Sequence, residues 1–269
     1  MGGVASKPGN DPDYTLQVIG AGFSRTGTVT MALALEKLLD GPVCHGGTQM
    51  HMLEEKYPRQ WVEIYRARHE RPKLLAKLRD ATRGFVGITD MPGVHFIEEL
   101  CEIYPEAKVI CVRRDSKRWL QSAQHMSDKM TAWYMPALMW PMPAARWFAI
   151  WLDLAVARTG EMGLLPFDED YLRRYNEHVE RVVPPERLFW MEMSEGWAPL
   201  CKMLDKPIPE EPFPKANDSE AADELIELKI KAACLVWTGC DSGNVSFRIS
   251  FVCDAEVKDY LARPQGVLD

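Results

Sequence analysis

Residues 20–28 combine glycines, hydroxyl side chains and one arginine in a pattern that is typical of an anion-binding loop. A β-favouring run at residues 14–19 precedes this 20–28 loop, and apolar residues at helical spacing follow from Thr28. The first amides of a helix have no partner within the helix, and the helix dipole makes that end positive. An anion can therefore bind where the strand passes into the helix. The residues that this pattern assigns to the site are Gly22, Ser24, Arg25, Thr26, Gly27 and Thr28.

Two common nucleotide-binding loops match this stretch incompletely. A dinucleotide-binding Gly-x-Gly-x-x-Gly sequence needs glycine at position 25, where Arg25 stands. A nucleoside-triphosphatase loop has its two glycines in Gly22 and Gly27 but needs lysine where Thr28 stands. The cation of this loop lies inside it instead. The Arg25 guanidinium is therefore expected to cover an anion seated on the amides of residues 26–28.

A second pair of anion ligands follows another predicted strand. Residues 107–112 form an apolar β-favouring run, Arg114 stands just after its end, and Ser122 comes eight residues later on a predicted helix. The carboxyl ends of parallel strands meet at one edge of a sheet, where ligands bind. Arg114 and Ser122 are therefore expected to hold one phosphate from two sides.

The two motifs together, in this order and after these strands, resemble the sulfotransferases that use 3′-phosphoadenosine 5′-phosphosulfate (PAPS). The resemblance covers about residues 14–220 and is greatest to a sulfotransferase-like branch common in fungi and in secondary-metabolite clusters. It implies that the 20–28 loop holds the 5′-phosphosulfate of PAPS and that Arg114 and Ser122 hold its 3′-phosphate. Cytosolic members also carry a C-terminal Arg-Lys-Gly element, and this chain has no such tripeptide.

Two residues are candidates for the base that takes the proton of the acceptor hydroxyl, while Arg25 is the candidate for charge stabilisation. Asp90 stands after the second predicted strand, where cytosolic sulfotransferases have histidine, but an aspartate before Pro92 is also a good helix cap. His45 precedes two glycines, and imidazole ordinarily titrates near neutral pH. The choice between Asp90 and His45 stays open at this point. His95 is expected on an exposed helix face, and no histidine or cysteine spacing predicts a metal site.

Strand-like runs alternate with helical patterns along the chain, which predicts an α/β fold. The resemblance makes this a P-loop-type three-layer fold, with a mainly parallel sheet flanked by helices. We divide the chain into a flexible tail at residues 1–13, the sulfotransferase-like domain at residues 14–228 and a tail of uncertain structure at residues 229–269. The runs that we assign to strands cover residues 14–19, 84–89, 107–112 and 187–192.

Composition excludes several classes of protein. The 269 residues include 32 basic and 39 acidic side chains, so the net charge is −7 and general attraction to nucleic acid is not expected. The mean hydropathy of −0.24 is too polar for a multi-span membrane protein, and seven cysteines without a Cys-x-x-Cys pair indicate reduced thiols. A cytoplasmic location is expected. The first six residues match the N-myristoylation pattern at Gly2, which would add weak membrane association.

Residues 130–160 are rich in tryptophan and methionine and are interrupted by prolines. They form either core helices or an adaptable lid over a hydrophobic ligand, and three prolines at positions 136–143 favour the lid. The sequence therefore predicts sulfuryl transfer from PAPS to a hydroxyl of a hydrophobic small molecule such as a terpenoid or polycyclic alcohol. The alternatives are an isomerase or cyclase of the same fold without sulfate transfer, and a binding protein without catalysis.

Overall fold

A computed structural model describes residues 6–52, 54–139 and 146–216, together with residues 227, 230, 231, 233 and 234. In this part of the chain, strands and helices alternate. The strands are β1 (Val18–Gly20), β2 (Val43–His45), β3 (Gly87–Thr89), β4 (Lys108–Val112) and β5 (Leu188–Met191). The helices are α1 (Thr28–Leu39), α2 (Gly46–Met52), α3 (Lys56–Arg66), α4 (Arg71–Ala81), α5 (Ile97–Ile103), α6 (Ser116–Met130), α7 (Met135–Met139), α8 (Arg146–Glu161), α9 (Tyr171–Val182) and α10 (Trp197–Leu204).

The five strands form one parallel sheet in the order β2-β3-β1-β4-β5. All four predicted strands are present, so the prediction of a parallel α/β fold is confirmed. The sequence analysis missed β2, because its apolar residues are confined to Val43 and Cys44 between Pro42 and Gly46, whereas the equally short β1 and β3 lie in longer β-favouring runs. β1 lies between β3 and β4, and the chain after β1 therefore starts at the centre of the carboxyl edge of the sheet.

Helices cover both faces of the sheet, which confirms the three-layer prediction. On one face, α1 and α10 bury Met31, Leu35 and Trp197 against the strands. On the other face a larger core takes side chains from α3, α6 and α9, among them the fully buried Trp61 and Trp119. These large side chains bury much apolar surface, and this burial stabilises the packing of the helices that carry the polar site.

Residues 6–13 contact the domain. The Gly9 amide donates to the Gly84 carbonyl over 2.8 Å, and the Ser6 hydroxyl donates to the carboxylate of Glu36 in α1. Residues 1–5, with the myristoylation pattern at Gly2, lie outside the described residues. No helix in the described ranges is long and apolar enough to span a membrane.

The tryptophan- and methionine-rich segment divides into two parts. Trp133 is 90% exposed, and Tyr134 beside it is also exposed. Trp147 and Trp151 in α8, by contrast, pack against the main core. Residues 140–145, which include the predicted lid residue Trp140, lie outside the described residues. Core and lid are thus both too simple for the whole segment, because α8 is core whereas the turn before α7 is exposed.

Candidate active site

The 20–28 loop leaves the centre of the sheet and ends at an uncapped helix. Gly27 precedes α1 with a φ of 96°, and no side chain caps the first amides of this helix. A side chain at position 27 would be strained at that φ, and its Cβ would also lie 2.7 Å from Cγ of Met193. Within the described residues, the amides of Gly27 and Thr28 donate to no acceptor. The amides and the positive dipole end at the start of α1 are therefore suited to bind an anion.

The carbonyl groups of the loop are held by donors from the rest of the molecule. The Tyr175 hydroxyl donates to the Ala21 carbonyl over 2.9 Å, and the Trp119 indole N–H donates to the Ser24 carbonyl over 2.9 Å. The Thr26 amide donates to the Phe23 carbonyl over 3.1 Å. The Thr26 amide therefore forms a turn within the loop. The expected contact between this amide and an anion is replaced by this internal hydrogen bond.

Arg25 and the predicted phosphate pair lie together. Arg25 is a non-glycine residue with a φ of 71°, a conformation that is costly without support. Its Nε–H donates to the hydroxyl oxygen of Ser122 in α6 over 3.1 Å, and the Arg114 guanidinium donates to the Arg25 carbonyl. Ser122 accepts from Arg25, so its own hydroxyl proton can still be directed to an anion. The structure thus joins two motifs that are almost one hundred residues apart in sequence.

The two candidate bases also meet in one cluster. Asp90, which is buried at the end of β3, accepts from the Ser24 hydroxyl at Oδ1 over 2.5 Å and from the Gly47 amide at Oδ2 over 3.2 Å. Nε2 of His45 lies 3.6 Å from Oδ2 of Asp90 and 3.1 Å from Oγ1 of Thr28. The carboxylate of Asp90 is directed to the loop and to the first turn of α2, where Gly47 lies, whereas the turn after Pro92 (Gly93–Phe96) has no side-chain cap. The interpretation of Asp90 as the cap of a helix that begins near Pro92 is therefore wrong.

The surroundings of His45 fix which ring nitrogen carries the proton. The Thr48 amide donates to Nδ1 of His45 over 3.1 Å, so this nitrogen presents its lone pair. In the neutral ring the proton is then on Nε2, which donates to the Thr28 hydroxyl or to the Asp90 carboxylate. His45 has no lone pair left for a hydroxyl proton. The geometry therefore favours Asp90 as the proton acceptor and gives His45 the task of orienting it.

Several residues of the site carried too weak a sequence signal to be found. Gly47 and Thr48 act through backbone amides, and an amide contact leaves no mark on residue type. Trp119 stands in the same helical stretch as Ser122, but tryptophan there is equally typical of a core helix. The left-handed backbone at Arg25 and Asp90, which is costly without supporting contacts, indicates such contacts, and the sequence does not reveal it.

His95 does not lie on an exposed face, so that expectation is wrong. It stands in a 3₁₀ turn (Gly93–Phe96) that directs its ring into the core, where it is 1% exposed. The Tyr65 hydroxyl lies 2.8 Å from Nδ1 and the Thr159 hydroxyl 3.4 Å from Nε2. Burial, with a smaller effect of the Arg158 charge, lowers the pKa of His95 to about 3. His95 is therefore neutral at every physiological pH.

Among the described residues, no cluster of side chains is suited to bind a metal ion, and the cavity between α3 and α4 is lined mainly by charged residues. No group of three or more histidine, cysteine or acidic side chains is arranged there to hold a metal ion. A cavity of about 640 Å³ lies between α3 and α4, but charged side chains form most of its wall. The walls of this cavity do not fit the predicted hydrophobic acceptor.

Comparison with known proteins agrees with the fold. The family of the sulfotransferase domain matches residues 17–222. The chain belongs to the sulfotransferase family. It is also 28% identical over 216 residues to the Ava biosynthesis cluster protein M of Aspergillus versicolor, across 76% of this chain and 82% of that relative. The family match ends before residue 229, where the sequence analysis places the C-terminal tail.

Within the sulfotransferase family, the resemblance predicted from the 20–28 loop and from Arg114 and Ser122 is confirmed at the level of the family. The matched region contains every candidate ligand and both candidate bases. The geometry adds that neighbouring residues of one loop contact the two parts of the site, since Ser24 bonds to Asp90 and Arg25 bonds to Ser122.

The buried His95 predicts a specific pH dependence of stability. Its ordinary pKa of 6.5 is lowered to about 3 in the folded protein, so below pH 6.5 the unfolded chain binds a proton that the folded chain refuses. The stability contributed above pH 6.5 is lost as the pH falls towards 3. Between pH 6.5 and 5 we expect the free energy of unfolding to fall by roughly 2 kcal/mol from this group.

The measurement is urea unfolding across this pH range for the wild type and His95→Gln, whose amide can keep both hydroxyl contacts. The variant should show a flatter dependence, whereas His69→Gln, a control at an exposed position, should follow the wild type. Parallel curves for wild type and His95→Gln would show that His95 titrates normally in the folded state.

Proposed function

We propose that this sulfotransferase-family protein transfers the sulfuryl group of PAPS to a hydroxyl of a hydrophobic small molecule. The observation that carries the proposal is the joint position of Ser24 and Arg25. Ser24 contacts a buried carboxylate, Asp90, and Arg25 contacts the predicted 3′-phosphate ligand Ser122. The proposed proton acceptor and the proposed cationic site for the sulfuryl donor therefore lie on either side of one loop. A transfer between two bound substrates requires such an arrangement.

The residues present fit PAPS as donor. The uncapped start of α1 and the amides of Gly27 and Thr28 suit the 5′-phosphosulfate, while Arg114 and the hydroxyl proton of Ser122 suit the 3′-phosphate. When bound, PAPS supplies the sulfuryl group and the bisphosphate that leaves after transfer. The guanidinium of Arg25 would stabilise the negative charge that develops on the donor oxygens during transfer of the sulfuryl group.

Asp90 supplies the base in this proposal. Its carboxylate already accepts from Ser24 and Gly47, which orient it, and a carboxylate has room for a further donor such as an acceptor hydroxyl. His45 donates from Nε2 towards the same cluster and keeps the carboxylate in place.

A hydrophobic acceptor and a role in secondary metabolism complete the proposal. Trp133 and Tyr134 present exposed aromatic surface just beyond the end of α6. Ser122 lies eight residues before the end of this helix, which corresponds to about 12 Å along its axis. An apolar molecule bound against this surface would lie within reach of the site. The name of the fungal relative, a biosynthesis cluster protein, supports a tailoring step on a metabolite.

Nucleotide binding is the first test. Calorimetry should show that the protein binds adenosine 3′,5′-bisphosphate at least tenfold more tightly than adenosine 5′-phosphate, because the second lacks the group that Arg114 and Ser122 hold. Arg114→Ala should remove most of this difference. The neighbouring Arg113, whose guanidinium lies 5.1 Å from the Trp190 ring centre, offers a matched control, and Arg113→Ala should retain the difference. Equal affinity of the wild type for both nucleotides would contradict the donor site and favour chemistry without sulfate.

The base assignment predicts an order of effects. Asp90→Asn should lower kcat about a hundredfold or more, since a positioned base contributes about 10²- to 10⁴-fold. His45→Asn should lower kcat by a smaller factor, because His45 acts through Asp90 and Thr28. Both variants should bind adenosine 3′,5′-bisphosphate as the wild type does. A larger loss in His45→Asn than in Asp90→Asn would make the imidazole the base.

A further inference from the structure

Two carbonyl groups of the 20–28 loop, those of Ala21 and Ser24, accept hydrogen bonds from side chains of α9 and α6. In a trans peptide the C=O of one residue and the N–H of the next point in opposite directions. The bond from Trp119 to the Ser24 carbonyl therefore turns the Arg25 amide away from α6. The bond from Tyr175 to the Ala21 carbonyl turns the Gly22 amide away from α9 in the same way.

Packing against neighbouring aromatic rings fixes the side chain of Trp119. Its side chain is fully buried, stacks on Tyr171 with ring centres 5.4 Å apart and an angle of 11° between the planes, and meets the edge of Phe23 at 6.0 Å. Tyr175 is also fully buried and contacts the Phe23 ring at 4.8 Å. These buried aromatic residues therefore contact the loop in two ways: they pack against Phe23 and they donate hydrogen bonds to two loop carbonyls.

We propose that Trp119 and Tyr175 are positioning residues, which hold the Ser24 and Ala21 carbonyls away from the anion so that Arg25 and the loop amides are preset for the donor. An oxyanion attracts amide N–H groups and repels carbonyl oxygens, and a loop without such anchors can turn either group towards the anion. Arg25 depends on this support most directly. Its left-handed φ of 71° follows the peptide that Trp119 fixes, and its guanidinium then reaches Ser122.

This inference rests on the proposed function for its catalytic consequence, but loop order can be measured without a substrate. Trp119→Phe retains most of the aromatic packing and removes the N–H. Tyr175→Phe removes only the hydroxyl. Trp197 provides a matched control, because its indole N–H also donates to a backbone carbonyl, that of Glu211, over 2.8 Å. Glu211 stands well outside the loop, so Trp197→Phe loses the same kind of bond elsewhere.

The experiment combines amide hydrogen exchange over residues 20–28 with steady-state kinetics, using PAPS and the best acceptor from a panel of hydrophobic alcohols. Trp119→Phe should exchange its loop amides at least tenfold faster than the wild type and should lose about tenfold in kcat. Its dissociation constant for adenosine 3′,5′-bisphosphate should change less than threefold, since the start of α1 is intact. Tyr175→Phe should show the same changes to a smaller extent, because the Cys111 thiol also lies 3.4 Å from the Ala21 carbonyl.

The outcomes separate this inference from the proposed function. If Trp119→Phe and Trp197→Phe match each other in loop exchange, Trp119 is only a core residue and the inference is overturned. If loop exchange rises in Trp119→Phe alone while the wild type neither binds nor uses PAPS, the positioning role stands and the proposed function fails. A Trp119→Phe protein with fast loop exchange and wild-type kcat would contradict the claim that the anchor matters for transfer.

Discussion

A backbone loop binds an anion through its amide N–H groups, so the carbonyl oxygens near the anion have to face away from it. In this protein the indole of Trp119 and the hydroxyl of Tyr175 take two of these carbonyls, and the turn at Thr26 takes a third. The uncapped start of α1 is then left as the attractive end of the loop. The rest of the site depends on this arrangement, since Ser24 and Arg25 reach their partners from the same fixed backbone.

The sheet order explains why these partners are within reach. β1 lies between β3 and β4, so the loop after β1 has Asp90 on one side and the Arg114–α6 region on the other. His45 follows from β2 at the edge and completes the polar cluster around Asp90. A parallel sheet with this order collects at one edge residues that are far apart in the chain. The large apolar cores on both faces hold the supporting helices in place.

Sequence patterns predicted the parts of the protein that repeat or punctuate the chain. The four longer apolar runs became strands, and the glycines of residues 20–28 indicated the turn between β1 and α1, since Gly27 has the left-handed φ that suits glycine. The strand that ends at His45 was missed because Pro42 and Gly46 confine its apolar run to two residues. His95 was expected on an exposed helix face because charged residues follow it in the sequence. It lies instead in a 3₁₀ turn that directs its ring into the core, and the sequence pattern did not indicate this turn. The tautomer of His45 depends on one backbone amide and is invisible in the sequence.

The central claim is that the guanidinium of Arg25 serves the transfer of a sulfuryl group rather than the stability of the fold. The most direct measurement is the rate at which labelled sulfate passes from PAPS to a hydrophobic alcohol with wild-type protein and with Arg25→Ala at saturating PAPS. We expect a rate at least about a hundredfold lower in the variant, because a donor aimed at developing charge typically contributes about 10²- to 10³-fold. The melting temperature should be nearly unchanged. A rate within a few-fold of the wild type would contradict the account.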